Sequence, residues 1–101
     1  MRRSDVIYLV SEDPAAHGIF DAPKETQRMV YVTIRAVGLN EYYRAMEQDL
    51  RPEMVFVLAD YAEYQNEKIA VWNGKRYRIV RAYQNEQLGV ELTVEEATVD
   101  G

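Results

Sequence analysis

The chain has 101 residues, nearly half of them apolar, with no cysteine and a formal net charge of −5. That length supports one domain, residues 1–101, around a single core, and a cysteine-free chain excludes disulfides and thiolate metal sites. The acidic balance argues against nucleic-acid binding through a basic groove, because neutralising phosphates supplies most of that affinity.

No apolar run reaches the length of a membrane span, and Val6 to Val10 is too short for a signal-peptide core, so a cytoplasmic location without membrane contact is expected. Arginine outnumbers lysine nine to three. The planar guanidinium meets carboxylates in two hydrogen bonds, so an arginine-rich acidic chain suits charge-complementary self-assembly.

Val6-Ile7-Tyr8-Leu9-Val10 reads as a first strand. From Ser11 to Gln27 the chain turns polar, with Pro14, Gly18 and Pro23 as punctuation and no period, which predicts a long loop. Loops of this length in small domains are usually functional or disordered, and Ile19 and Phe20 are its candidate clips to the domain or to a neighbour. Met29 to Arg35 alternates as a second strand, with Val30, Val32 and Ile34 on one face. Asn40 is the expected N-cap of a helix from Glu41 to about Gln48, with Tyr42, Ala45 and Met46 at helical spacing and Glu41 favoured by the helix dipole. Pro52 bars smooth continuation and pushes Arg51 toward an extended conformation.

Met54 to Ala59 is nearly continuous apolar sequence, the pattern of a strand buried on both faces or capped by the helix. After the tyrosine-bearing connection Asp60 to Lys68 come two alternating runs around Asn73-Gly74, the pair that best tolerates the positive φ angles of a tight hairpin. In the second arm Tyr77 and Ile79 share one face, which Arg81 joins if alternation holds, while Arg76, Arg78 and Val80 share the other. Gln84 to Gly89 is a turn, and Val90 to Val94 is a last strand with Val90, Leu92 and Val94 inward. Glu95 to Gly101 reads as a frayed acidic tail. The expected fold is all-β: a small antiparallel barrel or sandwich of about six strands, with one short helix inserted between strands.

Little in the chain points to catalysis. His17 has no cysteine, serine or second histidine beside it to form a nucleophile–base pair, and it reads as a solvated or locally packed loop residue. The adjacent pairs Glu12-Asp13 and Glu95-Glu96 lie on opposite faces of a strand and lack the spacing of a calcium loop. The five glycines build no phosphate cradle. No catalytic, cofactor or metal residue is therefore nominated, and no cofactor is expected. Arg76, Arg78 and Arg81 lie beside Trp72, Tyr77 and Tyr83, a set able to stack bases. Pairing of the aromatics across the hairpin is the favoured reading. Tyr42, Tyr43, Tyr61, Tyr64 and Tyr83 form a group of the residue type enriched at protein interfaces, while for each of them alone packing on the barrel is the favoured reading.

Several segments occur in one order: Glu41-Tyr42-Tyr43-Arg44-Ala45; Arg51-Pro52-Glu53 with Phe56-Val57-Leu58; Asp60-Tyr61 and Glu67; Asn73 to Tyr83; and Val90-Glu91-Leu92-Thr93. Together with His17-Gly18-Ile19-Phe20-Asp21 and Arg35-Ala36-Val37-Gly38, this ordered set resembles the head–tail joining proteins of tailed bacteriophages, also called head-closure or head–tail adaptor proteins. The resemblance covers nearly the whole chain. Ala36 stands where serine is expected and Ala82 where threonine is; neither carries a group that the family's role needs.

The resemblance implies a structural virion protein and not an enzyme. It implies a ring that assembles in the host cytoplasm beneath the portal or connector protein, closes the packaged head and docks a tail protein, while DNA passes its channel unbound. A tail-terminator or tail-completion protein of similar fold, and a small nucleic-acid-binding barrel, are the competing expectations. The candidate interface residues are Ile19, Phe20, Tyr42, Tyr43, Arg44, Arg51, Tyr61 and Tyr64, with Arg44 and Arg51 expected to meet acidic groups of a neighbouring subunit.

Overall fold

The computed structural model describes residues 5–13 and 24–97. Six antiparallel strands close into a barrel in the order β1-β2-β3-β6-β5-β4, with one short helix between β2 and β3. The strands are β1 (Asp5–Asp13), β2 (Lys24–Arg35), β3 (Met54–Leu58), β4 (Ile69–Trp72), β5 (Lys75–Gln84) and β6 (Val90–Glu96); the helix α1 spans Leu39–Met46. Closure leaves the sheet without a free edge over its paired length, the usual solution for a small all-β chain.

Alternation decides which side chains fill the barrel. Ile7 and Leu9 of β1, Val30 and Val32 of β2, Phe56 and Leu58 of β3, Ala70 of β4, Tyr77 and Ile79 of β5, and Val90, Leu92 and Val94 of β6 form one buried cluster. Trp72 and Tyr77 lean into it beside Phe56, the three ring centroids lying 6.1 to 6.4 Å apart. Both hairpin aromatics thus belong to the core, at the offsets aromatic pairs favour. Asn73 (φ 53°) and Gly74 (φ 77°) both take the left-handed conformation that a two-residue hairpin demands.

The structure departs from the sequence reading at four places. The first two strands are longer than their apolar runs: the ladder extends through Ser11↔Thr26 to Asp13↔Lys24, with the Ser11 and Thr26 hydroxyls 2.8 Å apart. The two ends of the predicted loop, Ser11–Asp13 and Lys24–Gln27, are therefore strand, formed by polar residues whose backbone groups satisfy one another where no core demands apolar alternation. His17, Ile19 and Phe20 lie outside the described residues.

The helix is capped by Gly38, not Asn40. The Gly38 carbonyl accepts the Tyr42 N–H at 2.8 Å, and Glu41 Oε1 reaches back to accept the Gly38 N–H at 3.3 Å. At the other end Leu50 N–H donates to the Ala45 carbonyl and Asp49 N–H to that of Met46, with Asp49 at φ 60°. That bonding closes the helix as a Schellman motif before Gln48.

Third, the register of β5 slips between Ile79 and Arg81, so Val80 is bulged and Arg81 falls opposite Thr93 instead of following Ile79 inward. Fourth, Glu95 and Glu96 are not tail but the end of β6, and Glu95 is buried. The continuous apolar run of β3 is matched by burial on both faces at Val55, which lies outside the interior cluster yet is fully covered.

Candidate functional site

The helix lies over the outer face of β5 and β6, and Glu41 holds it there. Its carboxylate accepts the Thr93 hydroxyl at 2.9 Å and stands 3.6 Å from the Arg35 guanidinium and 3.8 Å from that of Arg81. Arg35 in turn donates to Glu91 at 2.6 Å and to the Ala36 carbonyl at 2.8 Å, and Arg81 lies over the Tyr83 ring at 5.4 Å. Burial works to raise the Glu41 pKa, but the Thr93 hydroxyl, the Gly38 N–H and the two guanidinium groups outweigh it, so the carboxyl titrates below its ordinary range. Beside this clasp is a polar cleft of about 690 Å³, lined among others by Arg35, Arg44, Gln48, Leu50 and Tyr83.

Held ionised by the Thr93 hydroxyl, the Gly38 N–H and two nearby guanidinium groups, the Glu41 carboxylate is a poor proton donor at neutral pH. Among the described residues no group of three histidine, cysteine, aspartate or glutamate side chains is placed to hold a metal. The arrangement fastens a helix to a barrel.

A second polar knot lies near the other ends of these strands. Glu67 is buried, accepts Arg28 at 2.6 Å and the Gln65 N–H at 2.8 Å, and its own carbonyl accepts the Tyr64 hydroxyl at 2.8 Å. Burial, with the charge of Glu67 behind it, raises the Tyr64 pKa and keeps the phenol neutral. Glu95 accepts the Arg51 N–H at 2.9 Å and pairs with Arg78. Arg76 pairs with Glu25 at 3.1 Å. The arginine row Arg76, Arg78 and Arg81, a candidate base-stacking surface in the sequence, is therefore neutralised within the chain, and its aromatic neighbours Trp72 and Tyr77 point inward.

The candidate interface residues among the described ones separate into four groups. Tyr42 and Tyr43 are both exposed on α1, their rings edge to face at 6.1 Å. Arg44 and Arg51 are exposed, and among the described residues neither side chain makes an ion pair. Tyr61 is exposed at the start of a single 3-10 turn, its N–H donating to the Leu88 carbonyl at 2.8 Å. Tyr64 is occupied by the fold, packed against the core with its hydroxyl on Glu67.

Two exposed apolar surfaces complete the picture. On α1, Leu39, Tyr42, Tyr43 and Met46 stand at i, i+3, i+4 and i+7 and none is buried, Leu39 being 69% and Tyr43 58% exposed. Ala45, expected to share their face, instead lines the cleft with Glu41 and Arg44. At 3.6 residues per turn the two sets are roughly half a turn apart, so the helix shows its polar side to the barrel and its apolar side to solvent.

The second surface is the outward side of β1, β2 and β4. Tyr8 stands opposite both Met29 and Val71, and Val6 opposite Tyr31; Tyr8, Met29 and Tyr31 are all exposed. The sequence reading missed this sheet patch, although apolar residues on both faces of Val6–Val10 were the signal for it. Comparison with models of known protein families and with curated proteins finds no match to this chain.

Proposed function

We propose that this chain is a structural subunit of a tailed phage or prophage virion, forming a ring at the head–tail junction that closes the packaged head and docks the tail. The observation that carries the reading is the inverted helix: an amphipathic element fixed to a rigid barrel by its polar side, with tyrosine, leucine and methionine turned outward. A helix normally buries its apolar stripe. Holding one in solvent by a dedicated carboxylate clasp suits a surface that meets another protein. The ordered resemblance to head–tail joining proteins supplies the biological setting, with a portal or connector protein on one side, a tail protein on the other and assembly in the host cytoplasm.

The polar groups support the same reading. The buried and half-buried carboxylates Glu41, Glu67, Glu91 and Glu95 are engaged by internal arginines, backbone N–H groups and the Thr93 hydroxyl, which suits a rigid structural part. The internal pairing of Arg76, Arg78 and Arg81 weighs against a nucleic-acid module. The net charge of −5 would leave a passing duplex ungripped.

The test is deletion of the gene in the phage or prophage that carries it, followed by induction and negative-stain electron microscopy of the lysate. Separate heads and finished tails, few joined particles and leaked DNA are expected. Intact virions would remove the role, and joined particles with abnormal tail length or tip would move the protein to a tail-terminator or tail-completion position.

A further inference from the structure

The two exposed apolar surfaces sit on opposite sides of the barrel. In the cyclic strand order β1 is three strands from β6 in either direction. The sheet patch is centred on β1, whereas α1 is fastened over β6 and β5 through Thr93 and Arg81. We propose that the partner of each surface is the other one on a second copy of this chain: the α1 stripe of one subunit seats on the Tyr8–Met29–Tyr31 patch of the next, head to tail. This deepens the ring reading above and rests on it.

Area and geometry favour a second copy over a foreign protein. Taking about 200 Å² as the full surface of each large side chain, the stripe exposes roughly 400 Å² and the sheet patch roughly 300 Å². Apolar atoms make up about 60% of a typical interface, so one such joint with its polar rim reaches about 1,200 Å², the lower bound for a stable specific contact. The chemistry also matches, tyrosine and methionine occurring on both sides, adaptable side chains that suit one another. Two different patches on opposite sides make the contact heterologous, and heterologous contacts propagate in one direction and close into rings when the rotation permits. A patch that paired with itself would stop at a dimer.

The absence of cysteine makes the joint directly readable, because any thiol introduced is unique. Tyr43→Cys and Tyr31→Cys chains are prepared separately, checked by circular dichroism for the wild-type fold, mixed at high concentration and treated with a short bis-maleimide. The expected result is a heterodimer band in the mixture at least fivefold stronger than in either single variant, and a ladder of oligomers from the Tyr31→Cys/Tyr43→Cys double variant. A Glu86→Cys chain, with its thiol outside both surfaces, sets the background when mixed with Tyr43→Cys.

Homodimers of Tyr43→Cys alone would mean that the stripe pairs with itself, and the head-to-tail joint would be wrong. A mixture no better than the Glu86→Cys background would mean that some other protein covers these surfaces, and would equally overturn it. Either failure, with separated heads and tails still seen on gene deletion, leaves the head–tail role standing with a different joint. A ladder alongside intact deletion virions would keep the joint and remove the role.

Discussion

Asp49 and Gly89 show in opposite senses how far single residues suit their backbone. Asp49 closes the helix at φ 60°, a conformation that costs an L side chain about 1–2 kcal/mol and glycine almost nothing, with aspartate among the more tolerant types. Replacing it by glycine removes that strain while adding freedom to the unfolded chain, so Asp49→Gly should stabilise by about 0.5 kcal/mol net. Gly89 is the converse. Its φ is not left-handed, yet a Cβ there would stand 2.4 Å from the Leu58 carbonyl oxygen, backbone that can yield only by displacing β3. Gly89→Ala should therefore destabilise by about 1–3 kcal/mol. Thermal melts followed by circular dichroism should move in opposite directions for the two variants. An unchanged melt for Gly89→Ala would mean that the turn after Asn85 can open without cost to the barrel.

The helix depends as an element on one ionised carboxylate, which gives it a pH signature. Glu41 is depressed in the folded state, so its contribution is fully present above the ordinary carboxylate range and is lost as pH falls through the folded value, below the reference of 4.5. Glu41→Gln keeps the size but loses the charge-assisted bonds, and should cost about 1–2 kcal/mol at pH 7. The gap between variant and wild type in urea unfolding should close only as pH falls beneath the ordinary carboxylate range and through the lowered folded value, where the native side chain is itself neutral. A gap that persisted in acid would show that shape, not charge, fastens the helix. The sequence disclosed the helix and the Asn73-Gly74 hairpin because these rest on local spacing and turn chemistry. It did not disclose which way the helix faces. A 39/42/43/46 stripe reads as a buried face by default, and only the distant partners Arg35, Arg81 and Thr93 turn the opposite side inward. The hairpin arms Ser11–Asp13 and Lys24–Gln27 were hidden for the complementary reason, since their strand character comes from a partner across the ladder and not from their own alternation. The bulge at Val80 likewise has no local marker, and it alone moved Arg81 from the expected core face into the helix clasp.

At the scale of the whole molecule, acidic charge and internally spent arginines make a specific claim about DNA. Nine arginines could form a basic surface, but Arg28, Arg35, Arg76, Arg78 and Arg81 each face a carboxylate of the same chain. The potential met by a duplex is then that of the acidic remainder, and the wild-type protein should show no duplex binding in a fluorescence titration even at about 50 mM salt. The shield can be removed without touching the core. Glu25 and Glu96 are half-exposed partners of Arg76 and Lys75 at the hairpin end, and such pairs contribute little to stability, about 0–1 kcal/mol. Glu25→Lys with Glu96→Lys should leave the melt nearly unchanged while releasing Lys75 and Arg76 beside two new cations. That variant should acquire duplex affinity that weakens steeply with salt, by about 0.9 in log–log slope for each phosphate engaged. Binding by the wild-type protein with such a slope would sink the unbound-channel argument and bring the nucleic-acid reading forward. A variant that stayed silent would show that something other than internal pairing keeps this face from DNA.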